Sequence, residues 1–197
     1  MQGIPLNERK RLGALLDDRP QTEVMAMIPQ FSQAETDNFV APPAQIPEAL
    51  GVLMFNMERG VNLPEIQEFL RDCPDIQPFD VILANELDDG CARSGNKNTA
   101  RELAQAFGLN YAWGLEFIEL VNDENAKGFH GNAVFSRWPI RRAGVIRLPE
   151  QYNWYFDRQK RIGGRLAVFA ELDVGGQPVG AVSILSLIHI SEPTRPY

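Results

Sequence analysis

Residues 51–89 read GVLMFNMERGVNLPEIQEFLRDCPDIQPFDVILANELDD, and they decide the fold class. Residues 52–55 form a short apolar run with a β-branched start, the pattern of a buried strand. A helix then opens at Asn62 or Leu63. Pro64 suits a first helical turn, and Asn62 with Glu65 has capping-box spacing. Ile66, Phe69, Leu70 and Cys73 fall on one helical face, and Pro74 and Pro78 end the helical region. Residues 80–84 read as a second buried strand.

The same alternation continues toward the C-terminus. Residues 88–97 read as a polar, Gly-bearing loop. Thr99 with Glu102 forms a second capping-box pair, Ala100, Leu103, Ala104 and Phe107 line a helix face, and Gly108 stops the helix. Strands are expected at 111–120, 133–135, 145–148 and 166–174, with a polar loop over 122–131. Gly175–Gly176 marks a hairpin into 179–184. Strand, helix, strand, helix and then several strands predict α/β or α+β layers. Toward the N-terminus, Pro20, Pro29, Pro42, Pro43 and Pro47 interrupt residues 1–50. A short helix over 9–16 and an otherwise extended lead-in that wraps the domain are expected there.

The chain has 197 residues, enough for one domain with a core that needs no disulfide or metal staple. Hydrophobic residues make up 44% and charged residues 23%, as in soluble globular proteins. A net charge of -7 disfavours broad non-specific binding to duplex nucleic acid, while a small substrate or a local basic patch stays compatible. Cys73 and Cys91 make no disulfide framework. No apolar run has membrane-spanning length, and the N-terminus lacks a signal-type apolar core. The expected setting is the cytoplasm of a bacterium. The glycines match neither the dinucleotide fingerprint nor the phosphate loop, so NAD and ATP find no support.

Asn56 and Glu86 each follow an expected strand directly. Sites in α/β layers gather where strands pass into loops, and two oxygen ligands at neighbouring strand ends suit one hard cation such as Mg²⁺. The plain alternative is a turn residue and a solvated acid. Asp88 and Asp89 rank below Glu86 because they fall in the expected loop. Glu58 and Arg59 either orient Asn56 or pair at the surface. Arg93, Asn96 and Lys97 suit a phosphate-binding loop or plain surface. His130, with no second ligand at metal spacing, suits a substrate-side or structural role rather than zinc. Asn132 lies where a loop enters a strand. Ser136 lacks the setting of a hydrolytic nucleophile. Arg161 and Arg165 flank the glycines of RIGGR and form either a phosphate clamp or a solubilising surface. Arg137, Arg141 and Arg142 solvate the turn at Pro139, with a nucleic-acid backbone contact as the alternative. Trp113, Trp138 and Trp154 read as packing or rim aromatics, with base stacking by Trp154 or Tyr155 as the alternative.

Taken together, VLMFNMERG, FDVILANELDDG, GFHGNAVFSRWPI and GGRLAVFAEL followed by VGAVSI resemble the endonuclease/exonuclease/phosphatase superfamily, the DNase I-like fold. RSGNKNTARELAQAFGLNYAWGLEFIEL is similar to a bacterial subgroup of it. The resemblance implies a four-layer α/β/β/α sandwich, incomplete here, with residues 51–184 as the N-terminal part of the domain. It implies Glu86 as principal Mg²⁺ ligand (Mn²⁺ as an alternative), Asn56 in the metal-site polar network, and Arg165 beside the substrate phosphate. Asn132 and His130 are substrate-side candidates. The implied activity is hydrolysis of a phosphodiester or phosphomonoester, of a small molecule or a nucleic acid, with no partner protein implied. A non-catalytic binding protein of the same fold, or a non-functional fragment, is the alternative.

The chain departs from the family pattern at its end. The family's His-Leu, Gly-Asp-x-Asn and Asp-His motifs, which carry water activation, do not occur. From Leu185, LSLIHISEPTR resembles the in-frame translation of a transposase sequencing adapter. Residues 185–197 are therefore expected to be an artefact, native sequence to stop near Ile184, and this fragment to be inactive. His189 takes no site role.

Overall fold

The computed structural model describes residues 1–149, 153–156 and 159–185. The N-terminal segment is more ordered than an extended lead-in. It holds α1 (Leu6–Ala14), α2 (Gln21–Ala26) and β1 (Ala34–Asp37). The prolines explain the difference: Pro5 and Pro20 stand just before the two helices, where their missing N–H and fixed φ are tolerated. Ile4, Leu12, Leu16, Val24, Ile28 and Phe31 join the main core, so this segment contributes to it.

The strand–helix–strand unit follows as β2 (Val52–Arg59), α3 (Leu63–Asp72) and β3 (Val81–Asp89). β2 and β3 pair in parallel, Val52 opposite Val81 and Asn56 opposite Asn85. Asn62 precedes α3 but makes no side-chain cap. α4 (Thr99–Phe107) is capped one residue earlier than expected, by Asn98, whose Oδ1 accepts the Arg101 N–H at 2.9 Å. Thr99 instead donates its hydroxyl to the Asp88 carbonyl at 2.8 Å.

Then come β4 (Asn110–Glu119), β5 (Phe129–Ser136), β6 (Ile140–Arg147), β7 (Arg161–Gly163), β8 (Leu166–Val174) and β9 (Gln177–Ile184). The main sheet runs β1-β4-β5-β3-β2, with β7 also on β4. The second sheet runs β6-β8-β9. Between the sheets lie Ala112, Val134, Trp138, Leu166, Val168, Ala170 and Leu172. The other core brings Ile82, Leu87, Trp113 and Phe135 of the main sheet against Leu63 and Leu70 of α3 and Leu103 of α4.

The mixed α/β class holds, as helices over a sheet over a sheet. The fourth layer is not present among the described residues: Ile146 and Val182 of the second sheet remain 55% and 42% exposed. Of segment 185–197, only Leu185 lies among the described residues.

Three register shifts fall together at one end of the main sheet. β2/β3 pairing breaks between Asn56 and Arg59, β3/β5 between Ala84 and Leu87, and β4/β5 between Leu115 and Phe117. Bulges re-aim side chains and concentrate beside functional sites.

Candidate functional site

Those irregularities place the polar residues. In β2, Glu58 and Arg59 have φ of 48° and 68°; in β3, Glu86 has φ of 59°. Left-handed backbone at ordinary residues is strained, and such strain gathers at sites. The exposed Asn56 accepts the Glu58 N–H through Oδ1 at 2.9 Å, which fixes its carboxamide. Glu58 thus orients Asn56 through its backbone rather than its carboxylate.

Glu86 is half-buried inside β3 rather than just past a strand, as Asn56 lies inside β2 and Asn132 inside β5, because these strands run on through their irregularities. Its N–H donates to Asn132 Oδ1 at 3.1 Å. Asn132 is fully buried in β5, and its Nδ2 has no hydrogen-bond partner. Asn56, Glu86 and Asn132 are therefore brought to adjacent strand positions, and Asn132 holds the Glu86 backbone.

Beyond Asn132 lies a buried ion cluster. His130 is 3% exposed, with Nδ1 2.8 Å from Asp88 Oδ1. An ionised carboxylate only accepts, so the imidazole donates from Nδ1. Arg93 forks onto the same carboxylate at 2.7 and 2.8 Å, and Ser94 donates to it at 3.2 Å. His130 Nε2 faces Glu116 Oε2 at 4.0 Å, and Arg165 donates to Glu116 Oε1 at 3.1 Å. Arg93 and Arg161 both reach Glu119 Oε1 at 3.1 Å. Arg165 and Arg161 also cover the rings of Phe117 and Trp154 at 5.1 to 5.9 Å. Arg165 lines, with Arg147, a cavity of about 310 Å³ beneath α2.

The two buried acids differ. Burial pushes Asp88 up, yet Arg93 and His130 together outweigh it and hold the carboxyl below its ordinary value. Burial raises Glu116, and Arg165 and His130 do not overcome it. Burial likewise brings Arg147 down to about 10, with Glu116 opposing. Its guanidinium donates to the carbonyls of Phe31, Leu115 and Gly164. The cluster thus sets the guanidiniums Arg93, Arg147, Arg161 and Arg165 against the carboxylates Asp88, Glu116 and Glu119. It carries one guanidinium more than carboxylates. Arg165 Nε and Asn132 Nδ2 are buried donors without a hydrogen-bond partner, and Glu116 Oε2 is an acceptor without one.

Sequence reasoning placed Asp88 in a loop and gave no role to Glu116 or Glu119. β3 in fact runs to Asp89, and Asp88 is fully buried. Glu116 and Glu119 have guanidinium partners distant in sequence, and Asp88 meets Arg93 only across the turn that follows β3, so neither spacing nor periodicity exposes them. The one available signal was acids inside apolar strands, as in WGLEFIEL. Lys97 pairs instead with Glu102 at the surface, and Asn96 ties its loop to Glu124 and Ala126.

Among the described residues, no group of three or more His, Cys, Asp or Glu could hold a metal ion. No described helix is long and apolar enough to cross a membrane. No family model matches the chain, and no curated protein matches it. Among solved structures, it is similar to an endonuclease/exonuclease/phosphatase family protein from Leptotrichia buccalis C-1013-b, at 18% identity and a TM-score of 0.47. The likeness covers 70% of this chain and 55% of that one, so the chain spans about half the length of that protein.

Proposed function

We propose that the site at these strand irregularities belongs to a phosphoesterase and binds a phosphate ester through a divalent cation and Arg165. The observation that carries the reading is the placing of two oxygen donors, Asn56 and Glu86, on adjacent parallel strands at a shared irregularity, with Asn132 holding the Glu86 backbone. Asn56 lies inside β2 opposite Asn85, and Glu86 follows inside β3 at the break in pairing, where Asn132 Oδ1 accepts its N–H. Oxygen donors re-aimed at strand irregularities suit a hard cation, and the guanidinium of Arg165 would suit a phosphoryl oxygen.

Two protein oxygens suit Mg²⁺, which keeps several waters and takes one or two carboxylates plus substrate phosphate. Mn²⁺ fits the same donors. Glu86 would hold the cation by its carboxylate and Asn56 by the remaining lone pair of Oδ1. When bound, the cation would neutralise charge developing on the phosphoryl oxygens. Asn132 fixes the Glu86 backbone, and Arg165, steadied by Glu116 and the Phe117 and Trp154 rings, would orient the phosphate.

One observation favours a second reading, phosphate-ester binding without turnover. Among the described residues His130 is the sole imidazole, and it is buried between Asp88 and Glu116. Held by these two carboxylates, His130 is not placed to activate a water.

Calorimetric titration of Mg²⁺, then of inorganic phosphate, tests the site. Glu86→Gln is expected to weaken Mg²⁺ about tenfold or more, and Arg165→Gln to weaken phosphate while sparing Mg²⁺. Unchanged Mg²⁺ affinity in Glu86→Gln would overturn the assignment. In a parallel assay of bis(4-nitrophenyl) phosphate negligible hydrolysis by the 197-residue chain is expected, and robust turnover would overturn the reading of binding without turnover.

A further inference from the structure

At the Glu86 irregularity the second sheet reaches across to β3. Ala84 pairs with Ala133 and Leu87 with Gly131, so Asn85 and Glu86 together stand opposite the single residue Asn132. An extra residue of this kind disrupts the ladder locally. Two side chains hold the stretch in place. Asn132 accepts the Glu86 N–H from within the main sheet at 3.1 Å. Ser183 of β9 donates its hydroxyl to the Ala84 carbonyl at 2.8 Å, and its Oγ accepts the Asn85 Nδ2 donor at 3.2 Å.

Ser183 is out of keeping with its strand. Val179 and Ala181, at the alternate positions before it, pack against the inter-sheet core. The next inward position calls for an apolar side chain, yet a hydroxyl sits there at 1% exposure. A buried hydroxyl is costly unless hydrogen-bonded, and the bonds of this one go to the two residues just before Glu86. Asn85 is likewise polar and buried, and its amide turns to Ser183. Glu86 has φ of 59°, a backbone that an ordinary residue keeps only where its surroundings hold it.

We infer that Ser183 is a positioning residue for the Glu86 carboxylate. Bonded to Ala84 and Asn85, it fixes the backbone on one side of Glu86, as Asn132 fixes the Glu86 N–H, and together they set where the carboxylate points. The inference rests on the reading of Glu86 as a cation ligand. It makes the second sheet part of the cation site through a residue that would not touch the ion.

Calorimetric titration of the 197-residue protein with Mg²⁺ compares wild type with Ser183→Ala, Ser183→Thr and Val168→Ala. Ser183→Ala should weaken Mg²⁺ about tenfold, the lower end of the effect of residues that orient a metal ligand. Ser183→Thr keeps the hydroxyl and should keep most of the affinity. Val168→Ala removes packing from the same inter-sheet core. It should lower the urea midpoint and leave Mg²⁺ affinity unchanged. In the absence of Mg²⁺, the Glu86 amide proton should exchange faster in Ser183→Ala than in wild type, because its bond to Asn132 is loosened. Asn85→Ala breaks one of the two bonds, should lose affinity in the same direction, and carries the test if Ser183→Ala does not fold. Unchanged Mg²⁺ affinity in folded Ser183→Ala, while Glu86→Gln still weakens it, overturns the inference and leaves the cation site standing. An equal loss in Val168→Ala reduces Ser183 to packing and also overturns it. Unchanged affinity in Glu86→Gln overturns the cation site and the inference with it.

Discussion

Asp88 and Glu116 lie in one buried cluster and answer pH in opposite ways. Asp88 is held below its ordinary value of 3.8, so its contribution to stability is complete above that value and disappears as pH falls through the lower folded one. Glu116 is raised above 4.5, so its ionisation opposes folding, and stability falls as pH climbs from 4.5 through the folded value. Asp88→Asn removes the charge that Arg93 and His130 face. At neutral pH it should cost about 3–5 kcal/mol, the range for breaking one side of a buried pair. The difference from wild type should shrink in acid, where Asp88 is protonated in both states. Urea unfolding at neutral and acid pH measures this, and a pH-independent difference would contradict the ion-pair account. Residue-level legibility follows the same physics. Glu86 and Asn56 could be read because they directly follow apolar runs. Asp88 could not, because the bulge at Glu86 breaks the alternation that marks a strand and makes NELDDG look like a loop.

At the scale of elements, the RIGGR turn decides whether β7 can reach β4. Gly163, opposite Phe117, has φ of 135°, and a Cβ there would run into the Glu116 carbonyl oxygen. Gly164, its neighbour, has open space around the same position. Gly163→Ala should therefore destabilise by more than about 1 kcal/mol, with displacement of β7, while Gly164→Ala should stay within about 0.5 kcal/mol. Thermal unfolding of the two variants compares them, and equal effects would remove the steric argument. The sequence signalled these glycines as spacers between two arginines, but not that one permits a close backbone approach. α3 and α4 were legible from their one-sided apolar faces and terminal residues. β6 was only half legible. It starts at Ile140, but its pairing with β8 shifts between Ile140 and Arg142. Arg141 and Arg142 instead reach Asp173 and Glu171 at the surface. Two arginines in succession conceal the strand pattern there.

At the scale of the whole molecule, the layer order was readable from the element order, whereas strand pairing was not. Nothing local announces that β1 joins β4, because a four-residue, partly exposed strand carries too little pattern. The sheets are also unequal. β9 ends the second sheet, and its Ser183 bonds the Ala84 carbonyl and Asn85 of β3. β2, the next strand of the main sheet, is left with Val52 and Met54 59% and 73% exposed. β9 itself has no neighbour on its outer side among the described residues, and Val182 stands on its open face. An open strand edge beside exposed apolar side chains is a template for association. The chain should therefore self-associate between micromolar and millimolar concentration, as exposed edges and apolar surface do. Met54→Lys with Val182→Lys should move it toward monomer. Both side chains are exposed, so each change should alter stability by no more than about 0.5 kcal/mol. Sedimentation velocity across a dilution series reads the outcome. A wild-type chain that stays monomeric throughout would show that these surfaces are not adhesive.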